Sequence, residues 1–155
     1  ALTFSGDVKL KDYLEFVKAL RNEKDYLVLI DVLGNLSRLN LLCSNERFAQ
    51  EIEKEAREFC EPIFERVGWD AKKDEKETDK TIRSAVIGLL GRLGNKEILA
   101  RSNELFKRLQ SQLKDIEKDS ELVPADLKST VYMLTAFQGD SETYKKILNR
   151  YCSYI

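Results

Sequence analysis

Apolar residues recur at intervals of three and four along almost the whole chain, and no run alternates with period two for long. This pattern predicts helices from end to end. Ala1-Leu2-Thr3-Phe4-Ser5-Gly6 reads as a helix tail closed by glycine, with Asp7 placed to cap a first full helix whose stripe is Leu10, Tyr13, Leu14, Val17 and Leu20. Asn22-Glu23-Lys24-Asp25 breaks the pattern, and Asp25 is the expected N-cap of a second helix reaching about Leu42. Its apolar residues, from Tyr26 and Leu27 to Leu41 and Leu42, wrap nearly all the way round. A helix apolar on every side must be buried on several, so this one is expected to be the least exposed, central helix. Truncating Leu33 or Leu36 there is expected to cost far more than truncating Leu122, which reads as part of a polar link.

A third helix is expected from just after Ser44-Asn45 to Val67, with the stripe Phe48, Ile52, Ala56, Phe59, Ile63 and Val67, widened by Cys60 and Phe64. Pro62 predicts a kink or break inside it. Asp70 to Lys80 is almost entirely charged with balanced signs and reads as a solvated link. A fourth helix, Asp79 to Leu93, carries Ile82, Ala85, Val86, Leu89, Leu90 and Leu93 and ends at Gly94. Asn95 caps a fifth, with Ile98, Leu99, Ser102, Leu105, Phe106, Leu109 and Leu113. Asp115 to Glu121 is a polar link, and Pro124 sits at a first-turn position. The sixth helix presents Leu127, Val131, Leu134 and Phe137 and ends at Gly139. Asp140 caps a seventh, with Tyr144, Ile147, Leu148 and Tyr151 expected to face inward. The fold class is therefore all-α. About seven unequal helices on short links, without a tetratricopeptide or ankyrin period, predict an irregular α-solenoid of stacked antiparallel hairpins of the HEAT or armadillo type.

Composition narrows the chemistry. The chain has 155 residues, enough for one domain with a real core, and residues 1–155 are read as a single helical unit. Lys plus Arg is 26 against 27 Asp plus Glu, so there is no electrostatic footprint for nucleic acid and no attraction to an anionic membrane. Histidine is absent, which excludes Ser-His and Cys-His catalysis and HExxH zinc ligation by this chain. Cys43, Cys60 and Cys152 have no CxxC spacing and read as packing residues in a reducing compartment. Gly88, Gly91 and Gly94 do not form a phosphate loop; helix packing and a C-cap account for them. Glu53 with Arg57, and Glu61 with Glu65, read as solvated helix faces, and Phe48, Phe59, Phe64, Phe106 and Phe137 as core. No catalytic, cofactor-binding or metal-binding residue is singled out, and no substrate-contact residue is identified. Arg83, Arg92, Arg101 and Lys128 are candidates for a positive inner face able to meet a peptide C-terminus, with solvation the alternative fate of each. The start at Ala1 and the apolar stretches at both ends suggest a piece of a longer protein.

Several segments, in order, resemble the C-terminal helical domain of the M1 family of zinc aminopeptidases. They are Leu20-Arg21-Asn22-Glu23-Lys24-Asp25-Tyr26, Asn35-Leu36-Ser37, Phe64-Glu65-Arg66-Val67-Gly68-Trp69, Arg92-Leu93-Gly94, Val123-Pro124-Ala125-Asp126-Leu127-Lys128 with Val131-Tyr132, and Gly139 with Tyr144 to Tyr151. The resemblance implies a fragment of a longer C-terminal domain that is itself non-catalytic. It would wall and lid the peptide-binding chamber and limit substrate access. Zinc, HExxH, GxMEN and the transition-state tyrosine would belong to a catalytic domain of the same polypeptide, absent from this chain; Tyr132 matches a family position but not that tyrosine. The implied partners are that domain and peptide substrates, in the cytoplasm or, for the parent, the secretory pathway. The competing readings are a free-standing HEAT-like module binding a protein or peptide in its groove, and, at the far end, an independent enzyme.

Overall fold

The structure is a computed structural model that describes residues 8–111 and 123–152. Among these residues all regular structure is helical. The helices are α1 (Leu10–Ala19), α2 (Tyr26–Leu42), α3 (Ala49–Val67), α4 (Glu77–Arg92), α5 (Lys96–Ser111), a 3-10 turn (Ala125–Leu127), α6 (Lys128–Gln138) and α7 (Ser141–Cys152).

Local chemistry sets most of the boundaries. The Asp25 carboxylate accepts from the Leu27 and Val28 amides at 2.9 and 3.2 Å and so caps α2. Asn95 accepts from Ile98 N at 3.1 Å at the head of α5, and Asp140 from Thr143 N at 2.9 Å at the head of α7. Gly68 and Gly94 follow α3 and α4 with φ of 63° and 80°, a conformation that side chains disfavour. Asp7, proposed to cap α1, lies outside the described residues, as do the Ala1–Gly6 tail, Leu113, the 115–121 link and Leu122. Helix α1 begins after Lys9 without a side-chain cap.

Two boundaries differ from expectation. Helix α3 starts at Ala49 rather than just after Asn45, because turns closed by Glu46 N to Cys43 O and Ala49 N to Glu46 O occupy the interval. Helix α4 starts at Glu77, so the tail of the charged run is helical. Helix α3 runs unbroken through Pro62, whose ring lies on the exposed face, where solvent reaches the helix surface.

The helices stack as a short solenoid. Helix α3 pairs with α4, and α5 with α6. Helices two apart in the chain also touch, α1 with α3, α2 with α4 and α4 with α6, as expected when successive hairpins pile on one another. One continuous apolar core runs from Leu14 and Val17 of α1 through Leu36, Phe59, Val86, Ile98 and Leu109 to Val131 and Leu134 of α6.

The central helix is α4, not α2. Helix α4 meets α2, α3, α5, α6 and the 3-10 turn, and every residue from Val86 to Gly91 is buried. Helix α2 buries Leu29, Val32, Leu33, Leu36 and Leu39 on one side, while Leu27, Leu41 and Leu42 stand 69, 69 and 66% exposed on the other. Apolarity round a helix does not by itself say how many neighbours it has; position in the stack does. The far end departs from expectation for the same reason. Phe137 of α6 and Tyr144 of α7 are each 61% exposed and Leu148 is half exposed, because α7 packs on α6 and no described helix covers its other side. Ile147 packs against the core, and the Tyr151 side chain is not among those described.

Candidate functional site

The four basic candidates do not assemble into a positive face. Arg83 is 1% exposed, so neither the inner-face reading nor the solvated reading holds for it. Its guanidinium pairs with Glu75, donates to Asp126 Oδ2 at 3.2 Å and reaches the Val67 carbonyl at 3.4 Å. Glu75 belongs to the charged run expected to be solvated, yet it folds onto Arg83. The hydrogen bonds from Arg83 hold the Glu75 carboxyl below its ordinary range, and the Arg83 guanidinium is raised in turn. Arg92 donates through Nη2 to Ser37 Oγ at 2.5 Å and through Nε to the Gly88 carbonyl at 3.3 Å, and desolvation lowers its pKa from the ordinary value. Arg101 lies over the Trp69 ring, 5.2 Å from its centroid, and donates to both Asp70 oxygens at 3.0 and 3.1 Å. Lys128 opens α6, half exposed.

Most of the segments that carry the family resemblance, those before Gly139, are fasteners. In Leu20 to Tyr26, Arg21 bridges Glu55 and Glu58 of α3, Glu23 Oε1 accepts from the Lys24 and Asp25 amides, and Asp25 caps α2. In Asn35-Leu36-Ser37, Leu36 is core and Ser37 receives Arg92, itself part of the Arg92-Leu93-Gly94 segment. In Phe64 to Trp69, Val67 and Trp69 are buried, Gly68 turns the chain and Trp69 carries Arg101. In Val123 to Lys128, Val123 and Leu127 are buried and Asp126 reaches back to Arg83. Tyr132 meets Phe106 edge-on at 5.8 Å. None of these groups is presented to a cavity as an acid, base or nucleophile.

Sequence reasoning missed two buried ions. Glu55, on the face of α3 toward α1, is 7% exposed, and its carboxylate lies 2.9 Å from Arg21 Nη2 and 3.5 Å from Lys18 Nζ. The other is Glu75. The available signal for the second was Arg83 itself, one turn before Ile87 on an otherwise apolar arc, where a guanidinium requires a carboxylate. The partners were not legible, being eight and forty-three positions away in the chain.

Open grooves of about 390 and 440 Å³ lie beside α5–α7 and between α1 and α3. The second is lined by Lys11, Glu15, Lys18, Glu51, Lys54 and Glu55, a mixed-charge surface with no nucleophile. Glu53 with Arg57 at 3.7 Å is half-exposed, and Glu61 and Glu65 are exposed, as read from the sequence. Among the described residues no three His, Cys, Asp or Glu side chains stand where they could hold a metal ion. Cys60 is buried and free, with its thiol pKa pushed up by desolvation; Cys43 is free and half-buried, and the Cys152 side chain is not described. No described helix is long and apolar enough to cross a membrane.

Comparison with known proteins assigns the chain to one family. Residues 1–153 match the ERAP1-like C-terminal domain. Aminopeptidase M1-A of Oryza sativa subsp. japonica is 28% identical over 97% of the chain, and glutamyl aminopeptidase of Bos taurus is 28% identical over 92%. Aminopeptidase M1-B of the same rice is 26% identical over 86%. The chain spans 17, 14 and 15% of the length of these relatives. The chain therefore belongs to the ERAP1-like C-terminal domain family, the helical C-terminal domain of M1 aminopeptidases.

Proposed function

We propose that this chain is the non-catalytic wall and lid of an M1 aminopeptidase's peptide chamber, limiting which substrates reach a zinc centre held by another domain of the same polypeptide. The observation that carries the reading is the match of residues 1–153 to the C-terminal domain in a chain with no histidine. Such a chain cannot supply HExxH, while its relatives are named as aminopeptidases. The architecture supports the same role. Clips such as the buried Arg83–Glu75 pair and the half-buried Arg92–Ser37 contact lock neighbouring elements together and suit a rigid wall better than a reactive cleft. We further propose that residues 1–155 form one helical unit within a longer C-terminal domain, supported by the continuous core through α1 to α6.

The parent polypeptide tests this directly. Hydrolysis of a one-residue aminoacyl reporter is compared with that of peptides of increasing length, with and without residues 1–153. The purified 155-residue chain should hydrolyse neither, while the truncated parent should keep the short reporter and lose length discrimination by about tenfold or more, one 1.4 kcal/mol step in transition-state binding. An unchanged length profile in the truncated parent would overturn the chamber reading.

A further inference from the structure

Helix α1 is fastened to the rest of the stack largely by charge. Its buried residues are Leu14 and Val17, while Phe16 is 56% exposed and no side chain caps the head of the helix after Lys9. Among the described residues α3 is its main neighbour, and Tyr13 lies beside Asp31 and Asn35 of α2. The polar contacts that cross to α3 are ion pairs. Lys18 Nζ stands 3.5 Å from Glu55 Oε1, and Arg21, just past the helix, bridges Glu55 at 2.9 Å and Glu58. Glu55 is buried, but Lys18, Arg21 and Glu58 are each more than a third exposed. The groove of about 440 Å³ between the two helices reaches Lys18 and Glu55, so water and ions approach the pairs from the side. Behind this contact the head of α2 is fastened on its own. Glu23 Oε1 accepts from the Lys24 and Asp25 amides, and Asp25 caps α2 through the Leu27 and Val28 amides.

We propose that α1 is a strap held down by an ionic latch at Glu55, so that ionic strength sets whether it lies on α3 or swings off it while α2 to α6 stay folded. Glu55 has opposite needs in the two positions. With α1 in place the carboxylate is out of water and requires its cations; with α1 lifted it is solvated and requires neither. The latch therefore holds best when the cations are unscreened. The screening length falls from about 10 Å at 0.1 M salt to about 3 Å at 1 M, so added salt weakens these partly exposed pairs and leaves the apolar core of α2 to α6 untouched. The grip of Leu14 and Val17 must then offset the ordering of ten helical residues, and two buried side chains are few for that task. The pivot is the stretch from Leu20 to Asn22, closed by the Glu23 N to Leu20 O bond at 2.9 Å, because Glu23 and Asp25 keep α2 capped whether or not α1 is docked. Lifting the strap uncovers Leu14 and Val17. Helix α7 supplies an internal reference, since its Lys146–Glu142 pair lies within the helix.

Hydrogen exchange of the whole 155-residue chain, followed by mass spectrometry at about 0.1 M and about 1 M KCl, spans that screening range. The amides of Leu14 to Lys18 should exchange about tenfold or more faster at the higher salt, relative to those of α7, while Val86 to Leu90 of α4 keep their protection. Glu55→Gln keeps the shape of the side chain and removes its charge. In that variant α1 should exchange at the fast rate already at the lower salt and respond little to more, with α4 again protected. The salt series on the unaltered chain needs no substitution, so it stands even if the variant folds poorly. Exchange of α1 that ignores salt in the unaltered chain would overturn the proposal. So would acceleration of α1 and α4 together, which would mean that salt opens the whole stack, or a folded Glu55→Gln chain that keeps the full salt response.

Discussion

The buried ion cluster at Arg83 shows how one side chain can tie distant parts of the chain together. Its guanidinium holds Glu75 from the link before α4 and Asp126 from the turn before α6, so three segments meet at one charge. Desolvating that charge is costly, and the carboxylates offset the cost only while ionised. Removing one partner from a buried pair costs about 3–5 kcal/mol, and Arg83→Ala should lose about that much in a urea melt, whereas Arg83→Met, which fills the space, should lose less. The pH dependence follows from the direction of the Glu75 shift. Its folded pKa is lowered, so its contribution is complete above the ordinary carboxylate value of about 4.3 and disappears as pH falls toward the lower folded value. Arg83 is raised from a value already far above neutrality, so it adds no loss on the acid side. Stability measured from pH 6 down to about pH 3 should therefore fall less steeply in Glu75→Gln than in the parent chain; equal slopes would assign the acid loss to other carboxylates.

Helix caps were legible from the sequence because capping is local: Asp25, Asn95 and Asp140 bind amides two or three residues on. The stripes were equally legible, since a 3.6-residue period needs no knowledge of the partner. Which helix lies at the centre was not, because burial on a second side depends on what the stack brings there. The glycines of α4 record that arrangement. A Cβ at Gly91 would stand 2.7 Å from Leu134 Cδ1 and 3.1 Å from Leu134 Cγ, whereas a Cβ at Gly88 would meet Met133 Cε at 3.4 Å and Thr130 Cγ2 at 3.7 Å. Leu134 is fully buried and has nowhere to move, while Met133 is partly exposed and flexible. Gly91→Ala should thus lose stability, the overpacking cost of about 1–3 kcal/mol exceeding the gain in helix propensity. Gly88→Ala should gain up to about 1 kcal/mol. Thermal melts of the two variants check this, and a common sign would mean that α6 does not approach α4 closely at Gly91.

The described residues form a row of helices in which α2 touches α3 and α4, α4 touches α5 and α6, and α1 reaches α3, so stability is shared between adjacent layers rather than drawn from one closed centre. Fold class was readable at this scale because short links and repeated stripes leave few alternatives. Composition excluded histidine chemistry from this chain, since it has no histidine. The identity of the fasteners was hidden, since Arg92–Ser37, Arg101–Asp70 and Arg83–Asp126 join positions 55, 31 and 43 residues apart. A stack of this kind opens from its ends. Helix α4 has neighbours on every side, and the amides of Val86 to Leu90 should exchange only through global unfolding. Helix α7 packs on α6 and leaves Tyr144 and Leu148 exposed, so it can detach while the rest stays folded. Native-state hydrogen exchange should then find protection in α4 exceeding that in α7 by about 100-fold or more, with α2 between them because its Leu27–Leu41 side faces solvent. Protection equal across α4 and α7 would mean that the chain unfolds as one unit. Protection highest in α2 would return the centre of the stack to the helix whose sequence is the most apolar, and a layered stack centred on α4 would be refuted.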